Sequence, residues 1–184
     1  TTRSAMVDLA SALVLEGLQA KSQMTDTIGG ALPLAKGTPE YAETEKYMND
    51  RFAKAHHILD LIEQKLPAFA SPYAVQIGQQ LAQISYLLGS EAGMKDDIER
   101  AKRIIESELL RWGQYVRYYQ SLNPCQYSLL TNTDMYVDTY YLMELLQLHN
   151  TIMPEETEAV MKRLQAEGVN LERVFARYPK ANEQ

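Results

Sequence analysis

A second cysteine and any long apolar run are the first things this 184-residue sequence does without. Cys125 stands alone, so the chain can hold neither an internal disulfide nor a cysteine-based zinc site. Nothing approaches the eighteen or so consecutive apolar residues of a membrane-spanning helix. Positive charge is short as well: Lys and Arg number 18 against 24 Asp and Glu, and no basic cluster offsets the net charge of −6. That balance argues against nucleic acid as a partner. Phosphate-cradling glycine loops are missing too, because Gly29-Gly30 has no lysine and helix after it, and there is no G-x-S-x-G nucleophile pattern. The sequence opens at Thr1 with neither a charged leader nor an apolar one, which is the expectation for a mature product or an excised piece.

What is present is helical periodicity. From about Lys95, apolar residues Ile98, Ala101, Ile105, Leu109, Trp112, Val116 and Tyr119 step by three and four, a stripe along one long helix. The preceding pattern carries a greasy row (Ile77, Leu81, Ile84, Leu88) and a row of small residues (Gly78, Ala82, Ser85, Gly89) that admits a close neighbour. Arg3 to Leu18 reads as a helix with Met6, Leu9 and Leu13 on one face and Gly17 as its stop. Another runs from Tyr47 through Phe52, Ala55, Leu59 and Ile62 to Pro67. Residues 19–44 between them lose the period, are punctuated by Gly29, Gly30, Pro33, Gly37 and Pro39, and read as a mobile, dispensable insertion. From about 124 the pattern is less regular. Leu129 to His149 looks apolar all round, Pro154 to Glu156 open a short helix closed by Gly168, and Asn170 caps a last one.

The expected architecture is one all-α domain over residues 1–184, an array of helical hairpins with about seven helices. Two hairpins share an order: Leu9-Ala10, Gly17, Ala55, Leu59, and then Leu81-Ala82, Gly89, Ala101, Ile105. Leucine beside a small residue, glycine late in the first helix and alanine early in the second is the order of a tetratricopeptide repeat. "RSAMVDLASALVLEGL", "KAHHILDLIEQKLP", "SPYAVQIGQQLAQISYLLG" and "ERAKRIIESELLRWGQYVRYYQSL" also resemble the C-terminal region of the bacterial membrane family called domain of unknown function 2723. The positions carrying that likeness include Arg3, Glu16, Lys54, Asp60, Pro72, Tyr73, Tyr86, Tyr118 and Ser121. They span about two-thirds of the chain, failing at 19–44 and weakening after Asn123. The resemblance implies a piece of a multi-spanning glycosyltransferase related to transmembrane protein 260. Its catalytic residues would lie in the membrane part, so none carries over. The implied location is the bacterial periplasm or the extracytoplasmic face, with the cytoplasm left open.

Chemistry in the side chains is sparse. His56 and His57 point about a hundred degrees apart on a helix and make a poor metal pair; His57 with Asp60, or His56 with Asp60, reads as a surface pair. His149 near a helix end reads as a dipole-matched cation. No catalytic residue, metal site or cofactor is expected. In a tetratricopeptide register the first helices line a concave wall of Ser4, Val7, Ser11, Val14, Gln76, Gln79, Gln83 and Tyr86, polar but uncharged. Such a wall is either a plain solvated surface or the seat of a neutral or extended ligand, and not of an acidic chain end, which needs cationic donors. Twelve tyrosines against three phenylalanines is the one unusual count. Tyr115, Tyr118, Tyr119, Tyr136, Tyr140 and Tyr141 form either inter-helix packing or a second surface. The function expected is a non-catalytic module holding a protein or polypeptide partner. The alternative is a domain binding a glycan or lipid-linked sugar.

Overall fold

The computed structural model describes residues 2–65, 75–123, 125 and 140–176. The Pro67 stop, Pro72, Tyr73, and the apolar stretch from Leu129 up to residue 139 with Tyr136 fall outside the described residues. The described chain is all-α, with helices α1 (Thr2–Thr25), α2 (Pro39–Lys65), α3 (Val75–Glu91), α4 (Lys95–Ser121), α5 (Tyr140–Ile152), α6 (Thr157–Ala166) and α7 (Leu171–Ala176). No strand occurs among the described residues; Ile28 and Ala31 pair in isolation. Contacts group the chain into two compact units. One holds α1, α2 and residues 80–101; the other holds 75–79, 102–123 and α5 to α7.

In the first unit α1 does not stop at Gly17 but continues to Thr25. Gly17 is where α2 crosses: a Cβ there would lie 2.5 Å from the Phe52 ring, so only glycine lets the two helices meet this closely. Nor does α2 begin at Tyr47. Thr38 caps it, its Oγ1 accepting the Tyr41 N–H at 3.2 Å, and Pro39 takes the first helical position, where no N–H is missed. The insertion read as 19–44 therefore shrinks to residues 26–38, and it is hydrogen-bonded. Ile28 and Ala31 exchange both backbone bonds around Gly29 and Gly30, whose φ values of 57° and 84° make the tight turn that glycine allows. Leu34 N–H returns to the Gln23 carbonyl.

The same crossing recurs in α3 and α4. A Cβ on Gly89 would lie 2.3 Å from Ile98 Cδ1. Each glycine thus meets a large apolar residue placed three positions before a fully buried alanine: Gly17, Phe52 and Ala55, then Gly89, Ile98 and Ala101. The two hairpins lie first helix beside first helix and second beside second. Lys21 Nζ of α1 reaches the Glu91 carbonyl and carboxylate of α3 at 2.8 and 2.9 Å. On the other side Arg100 and Asp97 of α4 reach α2. One matched pair differs: Leu81 is buried, whereas Leu9, expected on a packed face, is 53% exposed.

In the second unit Leu142, Leu145, Leu146 and His149 form one buried face of α5, so the described part of that stretch is amphipathic rather than apolar all round. Gly168 (φ 98°) ends α6: Val169 N–H bonds the Leu164 carbonyl and Gly168 N–H that of Gln165. Asn170 caps α7, its Oδ1 accepting from Arg173 N–H at 3.0 Å. Gln120 of α4 clasps that turn, accepting from Asn170 N–H at 2.8 Å and donating to its carbonyl at 3.0 Å.

Candidate functional site

The concave wall expected from the sequence is only partly a surface. Val7 is fully buried and Val14 nearly so, because α1 turns this side into the core; Val7 offers nothing to a ligand. Ser4 and Ser11 are half-buried, Gln83 is exposed and Tyr86 half-exposed. Gln79 Nε2 is engaged, donating to Glu144 at 3.2 Å. The Gln76 side chain lies outside what is described.

The tyrosines gather round Trp112, which is fully buried. Its ring centroid is 5.2 Å from Tyr115 and 6.0 Å from Tyr141, and Tyr140 meets Tyr141 edge-on at 5.4 Å. Tyr119 is buried. Tyr118 and Tyr140 keep exposed rings, so the cluster is mainly packing with two rings at its rim.

Four features were not legible as sites. The first is a charged network between α2 and α4. Arg100 donates to Asp97 and Glu63, both at 2.8 Å, and also to Asp60. His56 Nδ1 lies 2.7 Å from Asp97 and its Nε2 3.3 Å from Asp60, so the surface pair of the sequence is the outer edge of a larger cluster. Asp97 is fully buried; burial pushes its pKa up, while the His56 hydrogen bond pulls it down. The guanidinium fills the space between the carboxylates, and among the described residues no group of three or more His, Cys, Asp or Glu is placed to hold a metal ion. The network joins α2 to α4.

A second feature is His149, where the expected cation is corrected. Its ring is fully buried. Thr157 Oγ1 donates to the Met153 carbonyl at 3.2 Å, so it accepts from His149 Nδ1–H at 2.8 Å. Nε2 has no partner among the described residues. Burial lowers the pKa below 6.5, against the pull of Glu156 and Glu106. The folded state therefore keeps the ring neutral while an unfolded one takes a proton near 6.5, so stability present above that pH is lost as pH falls towards the folded value. The urea midpoint is expected to fall between pH 7.5 and 5.5, about where a free imidazole titrates. His149→Asn retains a donor for Thr157 without a titrating ring and should flatten that slope; an equal slope in both proteins would refute the assignment.

The third and fourth are concave. A cleft of about 490 Å³ lies between α1 and α2, lined by Glu16, Gln19, Gln23, Glu43, Thr44 and Tyr47. Glu16 is held there by Arg51 at 3.0 Å and accepts from the Tyr47 hydroxyl at 3.2 Å. A groove of about 330 Å³ lies between α4 and α6. Leu109, Leu110, Val160 and Leu164 floor it, and Glu106, Glu156, Arg163 and Glu167 stand at its edge. Arg163 pairs with Glu167 at 3.2 Å, whereas Glu106 and Glu156 have no ion-pair partner among the described residues. No helix among the described residues is long and apolar enough to cross a membrane. Compared with known protein families, curated proteins and solved structures, the chain matches none.

Proposed function

We propose that the chain is a non-catalytic interaction module, a tetratricopeptide-like array of hairpins that holds polypeptide. On the resemblance above, it serves as the extracytoplasmic C-terminal part of a membrane glycosyltransferase-like protein. The observation that carries this reading is the approach of glycine to a large apolar residue, three positions before a buried alanine, repeated in two hairpins of the first unit that meet through Lys21–Glu91 and Arg100–Glu63. Stacked hairpins present long grooves, and their use is to hold chains. The α4–α6 groove is the seat we favour. Its aliphatic floor takes an apolar side chain, and Glu106 with Glu156 match lysine or arginine flanking it. Leu110, 44% exposed, is the floor residue to alter. Leu110→Glu should leave the circular dichroism unchanged and cut capture of a lysine-flanked aliphatic peptide by about tenfold. Equal capture by both proteins would remove the groove from the function.

The α1–α2 cleft supports a second reading, a glycan site. Two glutamine amides, a threonine hydroxyl, a tyrosine and two carboxylates there can meet several sugar hydroxyls at once. On a glycan array, Gln19→Ala with Gln23→Ala should abolish any binding shown by the wild type. Binding kept by the double variant would turn the sugar away from this cleft.

A further inference from the structure

We infer that the outward face of α1, built on Leu9, Ala12 and Glu16, seats another helical hairpin in the register already used inside the first unit, one whose second helix carries carboxylates. The inference rests on the repeat reading and names the kind of partner it takes.

On α3, Leu81, Ile84 and Leu88 are all buried. They lie between about a quarter and two-fifths of a turn from Gly89, which faces α4, so they point to a different side of α3 from that crossing. The other helices of that unit are α1 and α2. In the shared register the matching positions on α1 are Leu9, Ala12 and Glu16. There Leu9 and Ala12 are exposed and Glu16 is half-exposed. The same stripe is thus buried on α3 and bare on α1, and within that unit the hairpin α1–α2, tied to α3 through Lys21 and Glu91, is what lies beside it.

The second helices tell the charge of the occupant. Asp97 and Arg100 are the α4 residues that reach His56, Asp60 and Glu63 on α2. Their counterparts on α2 are Arg51 and Lys54, both basic. Among the described residues Lys54 is bonded only to its neighbour Asp50, at 3.0 Å, and its side chain is 56% exposed. An incoming second helix placed as α2 is placed against α4 would meet these two cations; Arg51 is already engaged by Glu16, so Lys54 is the one that carboxylates there would pair. Covering Glu16 leaves no orphan charge, since Arg51 and Tyr47 already hold it.

The test uses thiol labelling of the full chain in a Cys125→Ser background. Leu9→Cys reports the open face, and Ile84→Cys and Leu88→Cys report the stack already present. The probe is a second copy of residues 2–65 fused ahead of the chain through a flexible linker, which brings its own Asp60 and Glu63. Labelling at position 9 of the original copy should slow by about tenfold in the extended chain. Asp60→Lys with Glu63→Lys in the added copy alone should restore the fast rate. Unchanged labelling at position 9, whether or not the added copy gains helix by circular dichroism, overturns the proposal; protection that survives the charge reversal overturns its carboxylates. Fast labelling at positions 84 and 88 of the unextended chain would instead refute the repeat reading beneath it.

Discussion

Arg100→Met is expected to destabilise the protein by about 3–5 kcal/mol, the loss found when one partner of a buried ion pair is removed. The side chain is only 5% exposed and its Asp97 partner is fully buried, so Asp97 would be left charged in the interior with His56 alone. The arms to Asp60 and Glu63 count for less, because those carboxylates are more than a third exposed and water screens them. Urea unfolding followed by circular dichroism measures the loss. Adding Asp97→Asn should recover part of it, since the stranded charge is then gone. A change below about 1 kcal/mol would mean the network behaves as a surface one.

Gly89→Val should cost about 3 kcal/mol, the upper part of the usual range for overpacking. The first added carbon would stand 2.3 Å from two side-chain atoms of Ile98 and 2.9 Å from its backbone nitrogen, and backbone cannot swing aside. Gly17→Val meets only the Phe52 ring, which can move, so its cost should be smaller. Gln114→Ala on the exposed side of α4 should stay within about 0.5 kcal/mol. Equal unfolding midpoints for the three variants would remove the helix crossings from the account of the fold.

Apolar spacing made most of the helices legible. The α4 stripe from Ala101 to Tyr119 is buried at every expected position, and Lys95 does open that helix. The errors arose where a local rule met a distant partner. Gly17 looks like a helix stop until Phe52, far along the chain, is seen against it. Asp97 and Arg100 look like the polar side of α4 because the carboxylates and histidine that bury them belong to α2. His149 looks like a cation until Thr157 fixes its tautomer. Thr38-Pro39-Glu40 was a readable helix start, masked by the glycines around it. Neither concave site follows from spacing, because each is assembled by two helices whose crossing the sequence does not state.

The unequal links of the two hairpins set an order of events in time. Residues 92–94 join α3 to α4, whereas 26–38 join α1 to α2. Closing the longer link costs roughly 1 kcal/mol more chain entropy before any contact rewards it. The α3–α4 crossing should therefore be in place at the folding transition state, with α1 and α2 docking onto it afterwards. On that ordering, cavity-free changes at Gly89 slow refolding, while those at Gly17 leave refolding alone and hasten unfolding.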